Sequence, residues 1–342
     1  MYKVLFSYSD FVKLRTQLKV FFLNYQAKNT FITGIAGFIG FHLARFLKRR
    51  GDRVMGCDNF NPYYDPALKR ERAKLLEQEG IEVVETDICD PPLIQKLIID
   101  QGTTHFVHLA AQAGVRHSIK HPESYVHTNL NGFVQILEVC RRHPSMKFIF
   151  ASSSSVYGLN KKIPFCEEDI TDQPASLYAA TKKADELMAH AYHHLYGIPV
   201  TALRFFTVYG PWGRPDMAYF SFTKTILNED PIVIYHEGKM QRDFTYIDDI
   251  IQGTAAAIDL GAPFEIFNLG NNQPVEVNTL IALIEKKTGK QAIKQFQPLQ
   301  AGEVLITYAD ITKSRSLLNF SPKTSLQEGM DHFLDWYLKN LS

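Results

Sequence analysis

The sequence predicts an α/β protein in which a doubly wound, Rossmann-type parallel sheet is joined to a smaller, mixed α/β C-terminal substrate domain. A short apolar strand at residues 30–33 runs directly into Gly34, Gly37 and Gly40, and a helical pattern follows. Strand-like and helical segments then alternate as far as residue 205, which is the pattern of parallel βαβ units. Polar residues recur where these strands end, the edge at which such sheets bind ligands. A chain of 342 residues has room for one large domain or two unequal ones.

The glycine segment predicts a dinucleotide site. Glycines here permit a tight turn and close backbone approach, and the helix that follows presents free N–H groups to a pyrophosphate. That helix ends in three basic residues before Gly51, a common stop pattern. The next strand, residues 53–57, closes on Asp58, whose carboxylate is placed to accept hydrogen bonds from the adenosine ribose. Because its charge repels a 2′-phosphate, the sequence favours NAD over NADP.

The following elements continue the alternation and define the domains. They are helix 66–79, strand 81–85, helix 92–101, strand 105–109, helix 125–142, strand 147–151, a helix around Tyr178 and strand 199–205. Residues 30–206 therefore form the predicted NAD-binding domain, and residues 243–268 are expected to return to it. Residues 207–342 form most of the substrate domain.

Tyr178 and Lys182 are the chemical centre of the sequence. Residues four apart share a helix face, so both side chains can point into one pocket. A free tyrosine is a poor base because it ionises near pH 10, but a neighbouring ammonium favours the phenolate form. Both residue types are common on helices, so the pair gains its weight from the serines at residues 152–155 and from the glycine segment.

Composition excludes several classes of protein. The formal net charge of +1 gives no electrostatic reason to expect nucleic acid or an anionic membrane as a partner. The four cysteines lack metal-ligand spacing, so we expect no metal site and reduced thiols in a cytoplasmic protein. No apolar run approaches the roughly 18 residues of a membrane span.

Residues 1–29 form an N-terminal extension whose role the sequence leaves open. Apolar residues between Phe11 and Phe22 have amphipathic helical spacing, but the apolar run at residues 20–23 is too short for a signal peptide. A helix packed on the domain, an over-long start and an interfacial membrane helix are the alternatives.

Motifs in chain order resemble the extended short-chain dehydrogenase/reductase family, and within it the NAD-dependent nucleotide-sugar 4-epimerases. The resemblance spans residues 30 to about 335 and rests on the glycine segment, the Tyr178–Lys182 pair and residues 108–111, 152–158, 204–211, 241–244 and 308–310. The strings at residues 111–116 and 213–217 are similar to those of the UDP-glucuronate 4-epimerase branch.

The resemblance implies a catalytic trio and a set of cofactor contacts. Tyr178, as phenolate, would take the proton of the sugar 4-hydroxyl while hydride leaves C4 for NAD, and Lys182 would hold the nicotinamide ribose. Ser153 would hold the same sugar hydroxyl. The 4-keto intermediate would turn over and take the hydride back on its other face, so NAD is retained. The implied cofactor contacts, besides Tyr178 and Lys182, are Gly34, Gly37, Phe38, Ile39, Gly40, Asp58, Asn59, Asp87, Ile88, Leu109, Ala110, Ala111, Gln112 and Phe205.

The resemblance also implies a set of substrate contacts. Arg242, as a bidentate donor, suits the UDP pyrophosphate, and Arg214 suits either the phosphates or the uronate. Glu303 stands where these epimerases usually carry aspartate. The implied substrate contacts are Arg116, Asn129, Ser153, Ser154, Thr207, Arg214, Arg242 and Glu303.

Ser154 and Ser155 bear on the reaction type. Related dehydratases carry an Asp-Glu pair just after the catalytic hydroxyl residue, and related decarboxylases carry a glutamate just before the Val-Tyr-Gly string. A serine supplies no acid or base of that strength at neutral pH, so the sequence favours epimerisation.

Three readings of the substrate and role follow. The favoured one is UDP-glucuronate to UDP-galacturonate. A UDP-glucose or UDP-N-acetylglucosamine 4-epimerase and a non-catalytic NAD-sensing protein are the alternatives. The resemblance further implies a role in polysaccharide biosynthesis and a homodimer that pairs through the helices near residues 125–142 and 178–196.

Overall fold

The computed structural model describes residues 26–298 and 304–341. The predicted N-terminal helix and Glu303 lie outside these ranges. Among the described residues, no helix is both long enough and apolar enough to span a membrane.

The described residues contain thirteen strands, and the six that were predicted between residues 30 and 205 begin and end close to their predicted bounds. In chain order they are β1 (Asn29–Thr33), β2 (Arg53–Asp58), β3 (Glu82–Glu85), β4 (His105–His108), β5 (Lys147–Ser153), β6 (Val200–Phe205), β7 (Thr207–Tyr209), β8 (Pro231–Tyr235), β9 (Gln241–Tyr246), β10 (Phe264–Leu269), β11 (Pro274–Glu276), β12 (Ile293–Gln297) and β13 (Ile306–Thr307).

The helices alternate with the strands in the first two thirds of the chain. They are α1 (Phe38–Arg50), α2 (Ala67–Gln78), α3 (Pro91–Gln101), α4 (Val115–Lys120), α5 (Pro122–Tyr125), α6 (Phe133–Arg142), α7 (Leu177–Tyr196), α8 (Ala218–Leu227), α9 (Ile247–Leu260), α10 (Val277–Thr288), α11 (Thr312–Leu318) and α12 (Leu326–Asn340).

Seven parallel strands form the main sheet in the order β10-β6-β5-β4-β1-β2-β3. Neighbouring residues of a strand point to opposite faces, so both faces must be apolar when helices cover both. Phe31 and Phe106 pack in the core with α3 and α6, whereas Ile32 and Val107 pack in the core with α1 and α9. This doubly wound sheet confirms the predicted fold class.

The second sheet corrects one expectation about the chain between residues 243 and 268. Strand β9 pairs with β7, β11 and β13 in a separate four-stranded sheet rather than returning to the main sheet. Helix α9 and strand β10 do return, α9 against α1 and β10 at the edge beside β6. A largely buried strand can pair within either sheet, so the local sequence pattern of β9 does not specify its partner.

The helix predicted over residues 125–142 is interrupted. A π-helical segment, Val126–Gly132, joins α5 to α6. Such segments insert an extra residue into a helical turn and are frequent at functional sites. Asn129 lies within it and faces the carboxyl edge of the main sheet.

Candidate active site

The glycine segment forms the tight turn that a dinucleotide needs. Gly34 has φ +70°, and a Cβ there would lie 2.8 Å from the backbone nitrogen of Ala110. A Cβ at Gly40 would collide with the carbonyl oxygen of Gly34. Gly37 caps α1 without any side-chain hydrogen bond, so the first-turn N–H groups at Phe38 and Ile39 face outward with no capping side chain. The loop therefore presents bare backbone to an anionic group.

Acidic residues at the ends of β2 and β3 lie beside this turn. Asp58 is 6 % exposed and accepts a hydrogen bond from the N–H of Phe60 at 2.9 Å. Burial raises the pKa of Asp58, an effect that Lys69 Nζ, 3.9 Å away, opposes. Asn59 donates to Asp87 at 2.7 Å. Although burial opposes it, hydrogen bonds from Cys89 N–H and Asn59 lower the pKa of Asp87.

Asp87 also belongs to a cluster of side chains of the types that bind metal ions. Asp87, Cys89 and His127 bring oxygen, sulfur and nitrogen atoms within 4.8 Å of one another, although the sequence shows no metal spacing. Both carboxylate oxygens of Asp87 already accept hydrogen bonds, from Asn59 and from the Cys89 N–H. Hydrogen bonding therefore explains why Asp87 and Cys89 meet, and the Cys89 thiol donates to the carbonyl of His127 at 3.7 Å. Ile88, between two of them, is buried against Gly132.

The segment after β4 is held by Asn129. Its side-chain oxygen accepts from the N–H of Gln112 at 2.8 Å, and its amide donates to the carbonyl of Gln112 and to the hydroxyl of Thr181, each at 3.0 Å. Leu109 and Ala110 are tied to Thr33 of β1. The π-helical segment thus fixes residues 109–112 against the helix that carries Tyr178. Sequence reasoning assigned Asn129 to the sugar, and that assignment stays a prediction.

Ser153, Tyr178 and Lys182 come from elements that pack together. Helix α7 packs against β5 and against the 3-10 turn Ser154–Tyr157. Ser153 accepts from the N–H of Ser155, and its hydroxyl donates to the Ser155 hydroxyl, both at 3.1 Å. The Tyr178 ring lies 6.1 Å from that of Tyr125, edge to face. Lys182 is 2 % exposed. The half-buried tyrosine and the buried lysine share a helix face, as their spacing predicts.

Sequence reasoning missed the buried charges behind this trio. Glu186 accepts two hydrogen bonds from Arg204, from Nε and Nη2 at 2.8 Å each, and a third from the Ser152 hydroxyl at 2.6 Å. Arg204 also donates to Tyr157 at 3.1 Å. Arg204 is predictable as a strand-end residue, but its partner lies on a helix whose surface charges look solvated from sequence alone.

A second cluster lies on the chain between β7 and α8. Arg214 donates to both carboxylate oxygens of Asp216, and Tyr63 donates to Asp216 at 3.0 Å. Although burial opposes it, Asp216 raises the pKa of Arg214, and Tyr63 and Tyr178 add to the effect. The structure therefore brings Arg214 close to Tyr178.

The remaining predicted site residues lie on β7, α4, β9 and β6. Thr207 begins β7 and pairs with Phe244. Arg116 places its guanidinium 4.6 Å from the centre of the Tyr235 ring. Arg242 donates to the carbonyls of Gln241 and Leu305. Phe205, at the end of β6, is buried.

Arg72 joins the glycine segment to the chain between β7 and α8 and is not recognisable from the sequence. It is fully buried and donates to the carbonyl of Ala36, inside the glycine segment, at 3.0 Å. It also donates to the carbonyls of Trp212 at 2.6 Å and Gly213 at 3.0 Å. One guanidinium thus ties the dinucleotide turn to the segment that carries Arg214.

Comparison with known proteins bears on this geometry. The NAD dependent epimerase/dehydratase family matches the chain over residues 30–270. The chain belongs to this family.

Curated relatives within the epimerase/dehydratase family are closely similar. UDP-glucuronate 4-epimerase 4 of Arabidopsis thaliana is 51% identical over 329 residues, covering 91% of this chain and 75% of the relative. Protein CapI of Staphylococcus aureus is 45% identical over 326 residues, covering 90% of this chain and 98% of that protein. The resemblance read from the motifs is confirmed.

Solved structures of similar proteins agree. The UDP-glucuronic acid 4-epimerase from Bacillus cereus, solved with UDP-glucuronic acid and NAD, superposes with a TM-score of 0.85 at 38% identity, covering 91% of this chain and 99% of the other. The UDP-glucose 4-epimerase of Thermotoga maritima, solved with UDP-glucose, gives a TM-score of 0.83 at 30% identity, covering 92% and 99%. Epimerase/dehydratase relatives of this fold thus include both uronate and neutral-sugar enzymes.

Proposed function

We propose that the protein is an NAD-dependent UDP-sugar 4-epimerase that interconverts UDP-glucuronate and UDP-galacturonate. The observation that carries the substrate assignment is the solved Bacillus cereus relative, which holds UDP-glucuronic acid together with NAD and matches most of this chain. The curated relatives named as UDP-glucuronate 4-epimerases support the same assignment.

The residues at the glycine segment fit NAD. A Cβ at Gly34 would meet the backbone of Ala110, and one at Gly40 would meet the carbonyl oxygen of Gly34, so both glycines are needed for the tight turn on which a pyrophosphate would lie. Asp58 stands at the end of β2, where its carboxylate accepts from ribose hydroxyls and disfavours a 2′-phosphate. When bound, NAD accepts a hydride from the sugar and returns it.

The chain's own residues handle the proton. Tyr178 takes the proton of the sugar 4-hydroxyl and gives it back, and Lys182, one turn away on the same helix, supplies a positive charge to the same side of α7. Ser153 holds that hydroxyl because its own hydroxyl both donates and accepts. Glu186, which is paired with Arg204, accepts a hydrogen bond from Ser152 and so fixes the end of β5 next to Ser153. These roles require no carboxylate base, which is consistent with the serines at residues 154 and 155.

Arg214 suits the uronate carboxylate. Its guanidinium lies close to Tyr178, and Asp216 with Tyr63 holds it in place. Ser153, Ser154 and Thr207 supply hydroxyl donors to the same carboxylate without a charge that promotes loss of carbon dioxide. Arg242 is assigned to the pyrophosphate, Arg116 and Asn129 to the sugar pocket, and Glu303 to the uridine.

The decisive experiment is incubation of the purified protein with each UDP-sugar, followed by chromatographic separation of the 4-epimers. We expect NAD to copurify and UDP-glucuronate to convert to UDP-galacturonate. Interconversion of UDP-glucose or UDP-N-acetylglucosamine alone would contradict the substrate assignment. Absence of turnover with all three, in a protein that holds NAD, would favour a dinucleotide-sensing role instead.

Tyr178→Phe tests the chemical role. Removing the phenolic oxygen should lower kcat by about 10²–10⁴-fold and leave NAD bound. Tyr192→Phe is the matched control, because Tyr192 lies on the same helix and its hydroxyl donates to Glu138 rather than facing the site. Near-normal turnover in Tyr178→Phe would remove the tyrosine from the mechanism.

We also propose that two copies pair through α7 and the helix running through α5 and α6. Leu187, Leu195 and Tyr196 of α7 are 59 %, 65 % and 45 % exposed, and exposed apolar side chains of this size are suited to contact with a partner helix. Leu187→Glu should convert a dimer to monomers in light scattering, whereas Leu317→Glu on α11 should not. A wild-type monomer at micromolar concentration would contradict this assignment.

We also propose that the protein acts in the cytoplasm and supplies polysaccharide synthesis. The four cysteines are free, in keeping with a reducing cytoplasm. A UDP-linked uronic acid is an activated glycosyl donor, which places the product upstream of polysaccharide synthesis.

A further inference from the structure

Lys182 is bound to a carboxylate that the proposed mechanism does not use. Its ammonium donates to Asp185 Oδ2 at 3.1 Å, and the two side chains are 3 % and 1 % exposed. The other oxygen, Asp185 Oδ1, is buried without a hydrogen-bond partner among the described residues. Buried carboxylate oxygens normally accept hydrogen bonds, so a buried ion pair with one carboxylate oxygen left unsatisfied calls for an explanation.

The pair shares one stripe of α7 with the catalytic tyrosine. Tyr178, Lys182 and Asp185 stand at positions i, i+4 and i+7, which lie on one helix face. Lys182 therefore stands between two residues on this face whose side chains can each be an anion. An ionised Asp185 neutralises the ammonium and withdraws it from Tyr178. A neutral Asp185 leaves the full positive charge to favour the phenolate.

Burial raises the pKa of Asp185 to about 7, an effect that Lys182 opposes and Glu186 reinforces. Glu186 is itself paired with Arg204. His108 of β4 stays neutral, because burial lowers its pKa to about 3 and Lys182 adds to the effect. The remaining charged and titratable groups on elements packed against α7 are Arg116, His117, Lys120, Glu123, Tyr125, His127, Glu138, Arg141, Arg142, Lys147 and Tyr157.

We propose that Asp185 is a positioning residue that competes with Tyr178 for the Lys182 ammonium and thereby sets the pH at which the tyrosine acts as a base. Its kinetic consequence rests on the proposed function. The conservative test is Asp185→Asn, which keeps the side-chain shape and removes the ionisable group.

The expected result is a shift of the acidic limb of the kcat/KM profile toward lower pH. Seven residues of helix separate Tyr178 from Asp185, a rise of roughly 10 Å. A unit charge at that distance shifts an ionisation by about one pH unit when the effective dielectric is about 20. We therefore expect Asp185→Asn to move the limb down by about one unit. A folded, NAD-containing variant whose limb does not move would overturn the proposal, and a uniform loss of kcat at every pH would assign Asp185 a structural role only.

Asp172→Asn is the matched control. Asp172 is exposed on the loop that faces the outer side of α7, beside Ala180 and Lys183. The substitution Asp172→Asn removes the same charge on the solvent side of α7, where salt screens it. It should leave the acidic limb of the kcat/KM profile unchanged.

The free energy of unfolding provides a readout that is independent of the reaction. The folded-state pKa of Asp185 is raised above that of the unfolded chain, so ionisation favours unfolding as pH rises. The stability of the wild type relative to Asp185→Asn should fall between about pH 4 and pH 7 and level off above. A constant difference across that window would overturn the proposal. If no UDP-sugar is turned over, the function fails while this measurement still tests the carboxyl group.

Discussion

Replacing Glu186 with glutamine should destabilise the protein strongly, although Glu186 is not expected to touch substrate. The carboxylate and Arg204 are 3 % and 2 % exposed and are joined by two hydrogen bonds of 2.8 Å. Glutamine removes the charge and one acceptor and leaves the Arg204 guanidinium buried without a counter-charge. Breaking one side of such a pair costs about 3–5 kcal/mol in unfolding free energy. Urea denaturation followed by circular dichroism measures this loss in the free energy of unfolding.

The comparison that isolates the pair is a double-variant cycle. Arg204→Met in the Glu186→Gln background should recover part of the loss, because no charge is then left buried. Glu85→Gln is the control, since its bidentate pair with Arg70 is on the surface and should contribute little. A loss below about 1 kcal/mol in Glu186→Gln, or simple additivity in the cycle, would refute the reasoning.

Two further predictions concern the cofactor turn and its link to the substrate pocket. Gly34→Ala should abolish NAD copurification, because φ is +70° and the new Cβ would meet Ala110 at 2.8 Å; Gly197→Ala, at φ +68° with nothing within 4 Å, should retain NAD. NAD retained by Gly34→Ala would show that the turn tolerates a side chain. Arg72→Met should raise KM for UDP-glucuronate by about tenfold or more and lower kcat less, because the segment that carries Arg214 loses the guanidinium that joins it to the glycine turn. Steady-state kinetics measures this, with exposed Arg70→Met as the control, and an unchanged KM would contradict it.

Local spacing was enough to predict much of the fold. The glycine segment, the basic stop before Gly51 and the i, i+4 pair at Tyr178 and Lys182 are all contained within a few residues, where sequence pattern and geometry correspond directly. The alternation of elements then predicts the parallel sheet, because a crossover helix leaves few other arrangements.

Contacts distant in sequence were not predictable. Arg72 lies about 140 residues from the carbonyls of Trp212 and Gly213 that it binds, and Tyr63 lies 153 residues from Asp216. Strand β9 was assigned to the wrong sheet for the same reason. Its sequence pattern indicates which residues are buried but does not indicate which strand it pairs with. Asp185 and Glu186 look like solvated helix charges until the fold buries them.

The π-helical segment has a consequence for how the chain tolerates length changes. Each helical residue turns the chain by about 100°, so the added residue within Val126–Gly132 sets the angle between Tyr125 at one end and Phe133 at the other. Tyr125 faces Tyr178, while Phe133 packs in the core with the phenylalanines of the main sheet. Deleting one residue there would restore a regular helix and swing one of these rings out of place. The π-helical turn therefore orients Tyr125 toward Tyr178 while Phe133, on the same helix, packs in the core.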